Sequence, residues 1–249
     1  MNWRLNTRGS FSRLQIIVMR LKLCFDCDDT LYDLSWPFRM CADHMFENEV
    51  LDPVDLTAFY KDYRKAGDEI FDRLQKGEIS IDESGEYRIR KVCAQYGIAI
   101  DERSVKEFQQ MYRGYQRNIS MSEELREFLE NTDAELAVLT NGEHAHQYAK
   151  LSTLNVFDYI PAAHVFTSGK LGYAKPDPRA FDAVMKALNE NPMDWYYVGD
   201  SYVNDMEGAK KAGMKTIHFN RHHGPEGEAA DHVVYTEKQL IDLLNELSS

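Results

Sequence analysis

The chain has 249 residues, of which 43% are hydrophobic and 28% are charged, and its formal net charge is −12. This length allows one large domain, or one domain that carries a smaller insertion, and the composition is that of an ordinary globular protein. The negative charge disfavours binding to nucleic acid polymers and anionic membranes, and no apolar run approaches the roughly 20 residues that span a bilayer.

Residues 1–18 differ in composition from the rest of the chain. They contain Arg4, Arg8 and Arg13 but no acidic residue, which is also typical of an organelle transit peptide. We favour a dispensable leader, because Met19 stands directly before the first predicted strand and could be the true start.

Short apolar runs alternate with amphipathic helical patterns along most of the chain. The apolar runs are continuous, which favours a mostly parallel sheet covered by helices on both faces. We therefore predict an α/β fold with a Rossmann-like, doubly wound core. The predicted strands are 21–25, 135–139, 164–166, 195–198, 215–219 and 232–235, and the predicted helices are roughly 122–130, 143–153, 178–189, 203–212 and 236–247.

One long segment, from residue 36 to about 118, contains helical patterns but no convincing strand. Sequential strands are not separated by so long a stretch unless it has structure of its own. We interpret its aromatic residues, such as Tyr60 and Tyr63, as packing residues on helix faces. The predicted domains are a catalytic core of 19–34 and 119–249 and an inserted helical cap of 35–118.

The four cysteines include Cys24 and Cys27, which form a C-x-x-C pair. A single pair of this kind is a weak signal for zinc or redox chemistry, and no second ligand pair stands at a suitable spacing. We interpret the cysteines as free thiols, which indicates a reducing, intracellular location and hence the cytoplasm.

Three carboxylates follow the first predicted strand within four residues: Asp26, Asp28 and Asp29. Like charges at this spacing raise each other's proton affinity and lose solvation when they are partly buried. A divalent cation would offset the repulsion, and carboxylate oxygens are the ligands that Mg²⁺ prefers. Asp26, together with Asp200 at the end of the fourth predicted strand, is therefore a candidate magnesium ligand.

Other polar residues also stand at strand ends or in nearby turns, namely Thr140, Asn141, Lys175 and Asp205. Ligand sites in open parallel sheets form outside the carboxyl ends of the strands, so we expect these residues to meet the acidic cluster in one crevice. Thr140 would offer its hydroxyl, and Asn141 its backbone N–H, to phosphate oxygens. Lys175 would add a positive charge, and Asp205 could either hold a metal-bound water or pair with Lys175.

These residues lie in four motifs: DCDDT at 26–30, LTNG at 139–142, AKP at 174–176 and GDSYVND at 199–205. In this order and spacing the motifs resemble those of the haloacid dehalogenase superfamily, specifically its phosphatases with a helical cap. The resemblance runs from about residue 19 to the end of the chain, and the predicted helical insertion falls where the first type of cap falls in that family.

The resemblance implies a two-step phosphoryl transfer with Mg²⁺. Asp26 would be the nucleophile that forms an aspartyl-phosphate, and Asp28 would protonate the leaving oxygen and then act as base on the hydrolytic water. Asp26, the main-chain carbonyl of Asp28 and Asp200 would hold the metal. Thr140 and Lys175 would stabilise charge on the phosphoryl oxygens.

Two positions in the first motif bear on the subclass. Asp28 favours a phosphatase, because dehalogenases of this superfamily lack a second aspartate and need no metal: a halide leaving group takes no proton. Asp29 departs from the family pattern, in which glycine is the more common residue at this position. We interpret the Asp29 side chain as pointing away from the site into a turn.

Two stretches, 73–98 and 218–234, resemble capped pyrimidine 5'-nucleotidases of bacteria. This resemblance suggests a nucleoside 5'-monophosphate as substrate. Arg88 or Arg90 of the cap could contact its distal part, but we favour surface helix charges for both residues. We interpret His222 and His223 as residues of a solvated loop.

The function predicted from sequence is a Mg²⁺-dependent phosphoric monoester hydrolase that acts on a small phosphorylated metabolite, as a monomer or homodimer. A sugar-phosphate mutase of the same superfamily is an alternative, because it would share the catalytic set. A phosphoacceptor switch that does not turn over is another. Receiver domains, however, are about half this length and place their phosphorylated aspartate on a middle strand, away from the acidic pair.

Overall fold

The computed structural model describes residues 20–45 and 55–248, and the predicted leader lies outside this range. Its centre is a parallel sheet of six strands in the order β3-β2-β1-β4-β5-β6. At the middle of the sheet, Phe25 of β1 lies opposite Val138 of β2 and Val198 of β4. The strands are β1 Lys22–Phe25, β2 Glu135–Thr140, β3 Val165–Thr167, β4 Tyr196–Gly199, β5 Lys215–Phe219 and β6 His232–Val234.

The predicted α/β fold and its parallel sheet are confirmed. Strand ends differ from the predicted ones by one residue at most, which is within the usual uncertainty of such boundaries. The central strands are buried along most of their length, as expected for a sheet with helices on both faces.

Alternate residues of the strands contribute to two hydrophobic clusters, one on each face of the sheet. In β1, Leu23 and Phe25 belong to one cluster and Cys24 to the other. In β4, Val198 and Tyr197 divide in the same way. This follows from the two-residue period of a strand, and it fixes which side chains reach the site at the strand ends.

Helices lie in every connection between the strands except the loop from β5 to β6, and a further helix follows β6. The α-helices are α1 Ser35–Met45, α2 Leu56–Asp68, α3 Phe71–Gln75, α4 Ile81–Gln95, α5 Glu102–Gln116, α6 Glu123–Asn131, α7 His144–Thr153, α8 Ser168–Leu171, α9 Pro178–Leu188, α10 Gly208–Lys211 and α11 Glu237–Leu247. The helix predicted at 203–212 is a π-helix over Tyr202–Glu207 that continues into α10. No helix in the described part of the chain is long and apolar enough to cross a membrane.

A third hydrophobic cluster lies among helices α1 to α5, between β1 and β2. Phe38 of α1 packs its ring against Tyr63 of α2, with the ring centroids 4.8 Å apart, and Ile89 and Phe108 complete the same cluster. Ser80 caps α4 with a reciprocal capping box that includes Glu83. The helices predicted for this segment are therefore present, whereas the division into domains at residues 35 and 118 stays a prediction.

Candidate active site

The site is built at the carboxyl ends of three neighbouring strands. Asp26 directly follows β1, Thr140 ends β2, and Asp200 directly follows β4. Asp26 also donates its backbone N–H to the Val198 carbonyl at 2.8 Å, which continues the β1–β4 pairing by one residue. The topology thus brings together the residues that the sequence analysis placed in one crevice.

Lys175 is the positive centre of the site. Its Nζ lies 2.7 Å from Asp26 Oδ1, 2.6 Å from Asp205 Oδ1 and 2.7 Å from the Tyr197 hydroxyl. The lysine is 4% exposed, so its charge is hardly screened by solvent. The sequence analysis left two roles open for Asp205, to hold a metal-bound water or to pair with Lys175. The structure shows the ion pair with Lys175.

Burial and neighbouring charges shift the pKa values of this pair in ways that suit an anionic ligand. Burial, opposed by the charge of Lys175 and aided by the negative charges of Asp205 and Asp28, raises the pKa of Asp26 to about 6. For Lys175, burial opposes the charged form, but the two carboxylates outweigh burial and raise the pKa of the ammonium group. The lysine is therefore a fixed cation.

Asn141 positions Lys175 through its side chain. The Asn141 amide nitrogen donates to the Lys175 carbonyl at 2.9 Å, and the Lys175 backbone N–H donates to the Asn141 side-chain oxygen at 2.9 Å. Tyr197, which contacts Lys175 Nζ, donates its hydroxyl to the Leu139 carbonyl at 2.7 Å. The loop after β2 and the turn before α9 are thus held together around the lysine.

Asp205 is held at a fixed distance from the sheet. Its Oδ2 accepts a hydrogen bond of 3.0 Å from the Ser201 backbone N–H, while Oδ1 faces Lys175. A side chain at Gly199 would place its Cβ 2.3 Å from Asp205 Oδ2, so only glycine allows this approach. This explains the glycine before Asp200 in physical terms.

The chain provides a cluster of oxygen ligands that fits a hard cation. Ligand atoms of Asp26, Asp200 and Asp205 lie within 4.8 Å of one another. Burial raises the pKa of Asp200 well above its ordinary range, and the charges of Asp29 and Asp205 raise it further. A divalent cation would remove this repulsion, and an all-carboxylate set suits Mg²⁺ better than a softer metal.

Asp28 has partners that the sequence analysis did not identify. Lys150 Nζ lies 2.7 Å from both Asp28 carboxylate oxygens, the Tyr32 hydroxyl donates to Oδ1 at 2.5 Å, and Gln147 approaches Oδ2 at 3.4 Å. Burial alone would raise the pKa of Asp28, but the charges of Lys150 and Arg64 lower it below its ordinary range. Gln147 and Lys150 stand three residues apart on α7 and therefore share one face of the helix. This spacing was the feature of the sequence that could have indicated a common partner.

The interpretation of Asp29 was correct for the turn but wrong for the side chain, and His222 is half-buried rather than part of a solvated loop. Asp29 does lie in a turn, with φ of +59°, but it is 1% exposed and its carboxylate does not point into solvent. His222 Nε2 lies 3.0 Å from Asp29 Oδ1, and the Tyr60 hydroxyl of α2 donates to Asp29 Oδ2 at 2.9 Å. Asp29 therefore joins the loop after β1, helix α2 and the loop after β5.

The two cap arginines singled out from the sequence differ in their surroundings. Arg90 forms surface ion pairs with Glu102, at 2.6 Å, and with Glu86, at 3.6 Å. The Arg88 guanidinium lies over the Tyr63 ring, 4.8 Å from its centroid. A contact of either arginine with a substrate stays a prediction.

Comparison with known proteins agrees with this geometry. The sequence model of the haloacid dehalogenase-like hydrolases matches residues 23–219. This range includes β1 from Leu23 onward and the loops that carry all the carboxylates described above. The chain belongs to the haloacid dehalogenase-like hydrolases.

Curated relatives within this family cover nearly the whole chain. A glyceraldehyde 3-phosphate phosphatase of Pyrococcus furiosus is 27% identical over 90% of this chain and 93% of its own length. A pyrimidine 5'-nucleotidase of Streptococcus pneumoniae is 26% identical over 90% of this chain and 94% of its own. These names bear out the class predicted from sequence, a phosphoric monoester hydrolase.

Solved structures of the family share the fold. The hydrolase YfnB of Bacillus subtilis, determined bound to magnesium, superposes with a TM-score of 0.65, 21% identity and coverage of 91% of this chain and 99% of its own. A dehalogenase, determined with an intermediate complex, gives a TM-score of 0.71 at 18% identity, with coverage of 92% and 98%. At these identities the likeness concerns the fold, and the residues at the site decide the chemistry.

Proposed function

We propose that the chain hydrolyses small phosphomonoesters by a two-step transfer through Asp26, with Mg²⁺ as cofactor. The observation that carries the proposal is the position of Asp26, whose carboxylate lies at the end of β1 within 2.7 Å of Lys175 Nζ and within one cluster of ligand atoms with Asp200 and Asp205. A carboxylate nucleophile, a fixed cation and an oxygen-rich metal site are the groups that phosphoryl transfer needs.

In the first step, a carboxylate oxygen of Asp26 attacks the phosphorus, and the bond from phosphorus to the ester oxygen breaks. Asp28 donates a proton to the departing oxygen, which leaves as an alcohol. Lys150, 2.7 Å from Asp28, favours the ionised carboxylate. The dianionic phosphate group of an incoming substrate favours protonation of Asp28, because nearby negative charge raises a carboxyl pKa. In the second step Asp28 takes a proton from water, which attacks the aspartyl-phosphate and releases phosphate.

Lys175 and Thr140 bind the transferred group. Lys175 places a permanent positive charge beside the attacking carboxylate, and Thr140, which is 1% exposed at the end of β2, offers a hydroxyl at the same edge. Asn141 fixes the Lys175 backbone and can offer its own backbone N–H to a phosphate oxygen. Donors that are positioned before the reaction stabilise the developing charge without further reorganisation.

Asp26, Asp200 and the main-chain carbonyl of Asp28 would hold Mg²⁺, and Asp205 would act through Lys175 or a metal-bound water. When bound, the metal supplies charge stabilisation to the phosphoryl oxygens. The presence of Asp28 favours phosphate esters over haloacids as substrates, because an alkoxide needs a proton donor to leave and a halide does not.

The names of the relatives indicate which class of substrate to test. Their names include phosphatases of glyceraldehyde 3-phosphate and of ribulose 1,5-bisphosphate and a pyrimidine 5'-nucleotidase. We propose a small phosphorylated metabolite of this kind, with a nucleoside 5'-monophosphate among the candidates. Four buried free cysteines fit a reducing compartment such as the cytoplasm.

A chromogenic phosphate ester with Mg²⁺ tests the proposal directly. Repeated turnover separates an enzyme from a phosphoacceptor switch, which would stop after one equivalent. Release of inorganic phosphate from a sugar phosphate, as opposed to its isomerisation, separates a hydrolase from a mutase. Absence of phosphate release from every ester in a panel of nucleotides and sugar phosphates would refute the proposed function.

A further inference from the structure

Asp29 has a backbone conformation that is sterically unfavourable for aspartate. Its φ of +59° lies in the left-handed region, which glycine enters without a steric penalty and aspartate enters less readily. The position follows directly after Asp28, in the loop that carries the nucleophile. A reason for a carboxylate here must therefore come from its contacts.

The contacts of Asp29 join three parts of the molecule. Oδ1 accepts hydrogen bonds from the Leu34 backbone N–H at 2.9 Å, just before α1, and lies 3.0 Å from His222 Nε2 in the loop after β5. Oδ2 accepts a hydrogen bond of 2.9 Å from the Tyr60 hydroxyl on α2. The buried carboxylate thus fixes both the segment that enters the helical insertion and the helix that faces the site.

Arg64 lies one helical turn after Tyr60, on the same face of α2. Its Nε is 3.9 Å from Asp29 Oδ2, which is too long for a hydrogen bond, and its side chain is 35% exposed. Burial opposes its charge, but Tyr60 and the carboxylates of Asp29, Asp200 and Asp28 raise the pKa of the guanidinium. By geometry, Arg64 therefore lies beside Asp29, which directly follows Asp28 in the chain.

The Asp29 carboxylate does not need Arg64 as a partner. Leu34, His222 and Tyr60 already occupy its two oxygens at hydrogen-bond distance. Among the residues that the structure describes, no other carboxylate lies within ion-pair distance of Arg64. The planar donor fork of the guanidinium thus has no carboxylate of the protein at hydrogen-bond distance and, at 35% exposure, can bind a ligand.

Asp29 and its neighbours are not a second metal site. Ligand atoms of Asp29, Asp33 and His222 lie within 4.8 Å of one another. However, Asp33 already accepts hydrogen bonds from the Ser35 backbone at 2.9 Å and from Arg39 at 2.8 Å, so its oxygens face donors of the protein. The cluster is satisfied internally.

We propose that Arg64 binds an oxygen acceptor, a carboxylate or a carbonyl, in the alcohol portion of the substrate, and that Asp29 is the positioning residue that holds α2 and Arg64 over the crevice. This inference rests on the proposed function. It assigns a substrate class: phosphomonoesters that bear such an oxygen near the ester bond are preferred to bare alkyl esters.

Three probes of similar size test the preference. 2-Phosphoglycolate carries a carboxylate, hydroxyacetone phosphate carries a carbonyl, and ethyl phosphate carries neither. We expect kcat/KM of the wild type to favour the first, the second or both over ethyl phosphate by about 10- to 100-fold, because a hydrogen bond from a charged donor is lost with the bare ester. The two oxygen-bearing esters distinguish the carboxylate from the carbonyl as acceptor.

The preference is measured as the ratio of kcat/KM for an oxygen-bearing ester to kcat/KM for ethyl phosphate. Arg64→Met should reduce this ratio to near one, and Arg64→Lys should restore part of it. The ratio is independent of the fraction of folded enzyme, because both values come from the same preparation. Asp29→Gly, which relieves the positive φ but removes the contacts to Tyr60 and His222, should lower the ratio through KM of the oxygen-bearing ester. Arg73→Met, at an exposed arginine of α3 that pairs with Glu78 at 3.7 Å on the surface, is the matched control and should leave the ratio unchanged.

Several outcomes would overturn the inference. A wild-type ratio near one, an unchanged ratio in Arg64→Met, or an equal loss on all three esters would each contradict the role of Arg64. An unchanged ratio in Asp29→Gly would contradict the positioning role. If the wild type releases no phosphate from any ester with Mg²⁺, the proposed function itself fails, which is a different result from activity without preference.

Discussion

Replacing Lys175 by methionine removes the cation between two buried carboxylates with little change in side-chain length. Lys175 Nζ contacts Asp26 at 2.7 Å and Asp205 at 2.6 Å, and both carboxylates are nearly inaccessible to solvent. Loss of one partner of a buried ion pair costs about 3–5 kcal/mol of folding free energy, because the remaining charge stays buried without compensation. For a chain of this size that corresponds to a melting temperature lower by about 6–20 °C.

The loss should depend on pH in a defined direction. The pKa of Asp26 is already raised from 3.8 to about 6, and removal of Lys175 takes away a charge that lowers it. A carboxyl group with a raised folded-state pKa favours folding fully below its unfolded pKa and loses that contribution as the pH rises through the folded pKa. We therefore expect Lys175→Met to be less destabilising at about pH 5 than at about pH 8.

Thermal unfolding followed by circular dichroism in EDTA measures both effects without a contribution from metal. Lys238→Met is the matched control, because Lys238 pairs with Asp242 at 2.7 Å on the surface, with side chains 82% and 63% exposed. Its melting temperature should change by roughly 4 °C at most. A Lys175→Met variant that melts within about 2 °C of the wild type, or whose deficit is the same at both pH values, would refute the reasoning.

Three further predictions concern activity. Asp26→Asn should abolish turnover while the circular dichroism spectrum stays native; phosphate release at the wild-type rate would remove Asp26 as nucleophile. EDTA should lower kcat by on the order of 100-fold or more, and added Mg²⁺ should restore it, whereas full activity in chelator would contradict the metal site. Lys150→Met should slow hydrolysis of alkyl phosphates more than that of 2,4-dinitrophenyl phosphate, because the activated leaving group needs no proton from Asp28; equal losses on both esters would indicate that Lys150 does not position Asp28 for proton donation.

The residues of the site that sequence could predict are those at strand ends. Asp26, Thr140 and Asp200 follow or end buried apolar runs, and the topology of a parallel sheet places such residues at one edge. Lys175 was predicted from its turn and motif, and the structure brings it to the same edge. A short stretch of sequence is enough to predict the position of these residues, because each strand end is defined locally by the residue at which the apolar run stops.

The partners of these residues could not be predicted in the same way. Lys150 meets Asp28 across 122 residues, and His222 meets Asp29 across 193 residues. Asp29 was interpreted as a turn residue, which its positive φ supports, but the direction of its carboxylate depends on Tyr60 of a separate helix. Periodicity states which face of an element a side chain occupies and does not state which distant residue packs against that face.

The sequence by itself determined the parallel sheet, the helical insertion and the identity of the acidic and basic groups, because hydrophobic period and strand-end position are local properties. Only the tertiary structure decided how those charges are paired: Asp205 with Lys175, Asp28 with Lys150, and Asp29 with Tyr60 and His222. The physical reason is that a buried charge must find a partner within a few ångströms, and the available partners depend on the packing of elements that are distant in the chain.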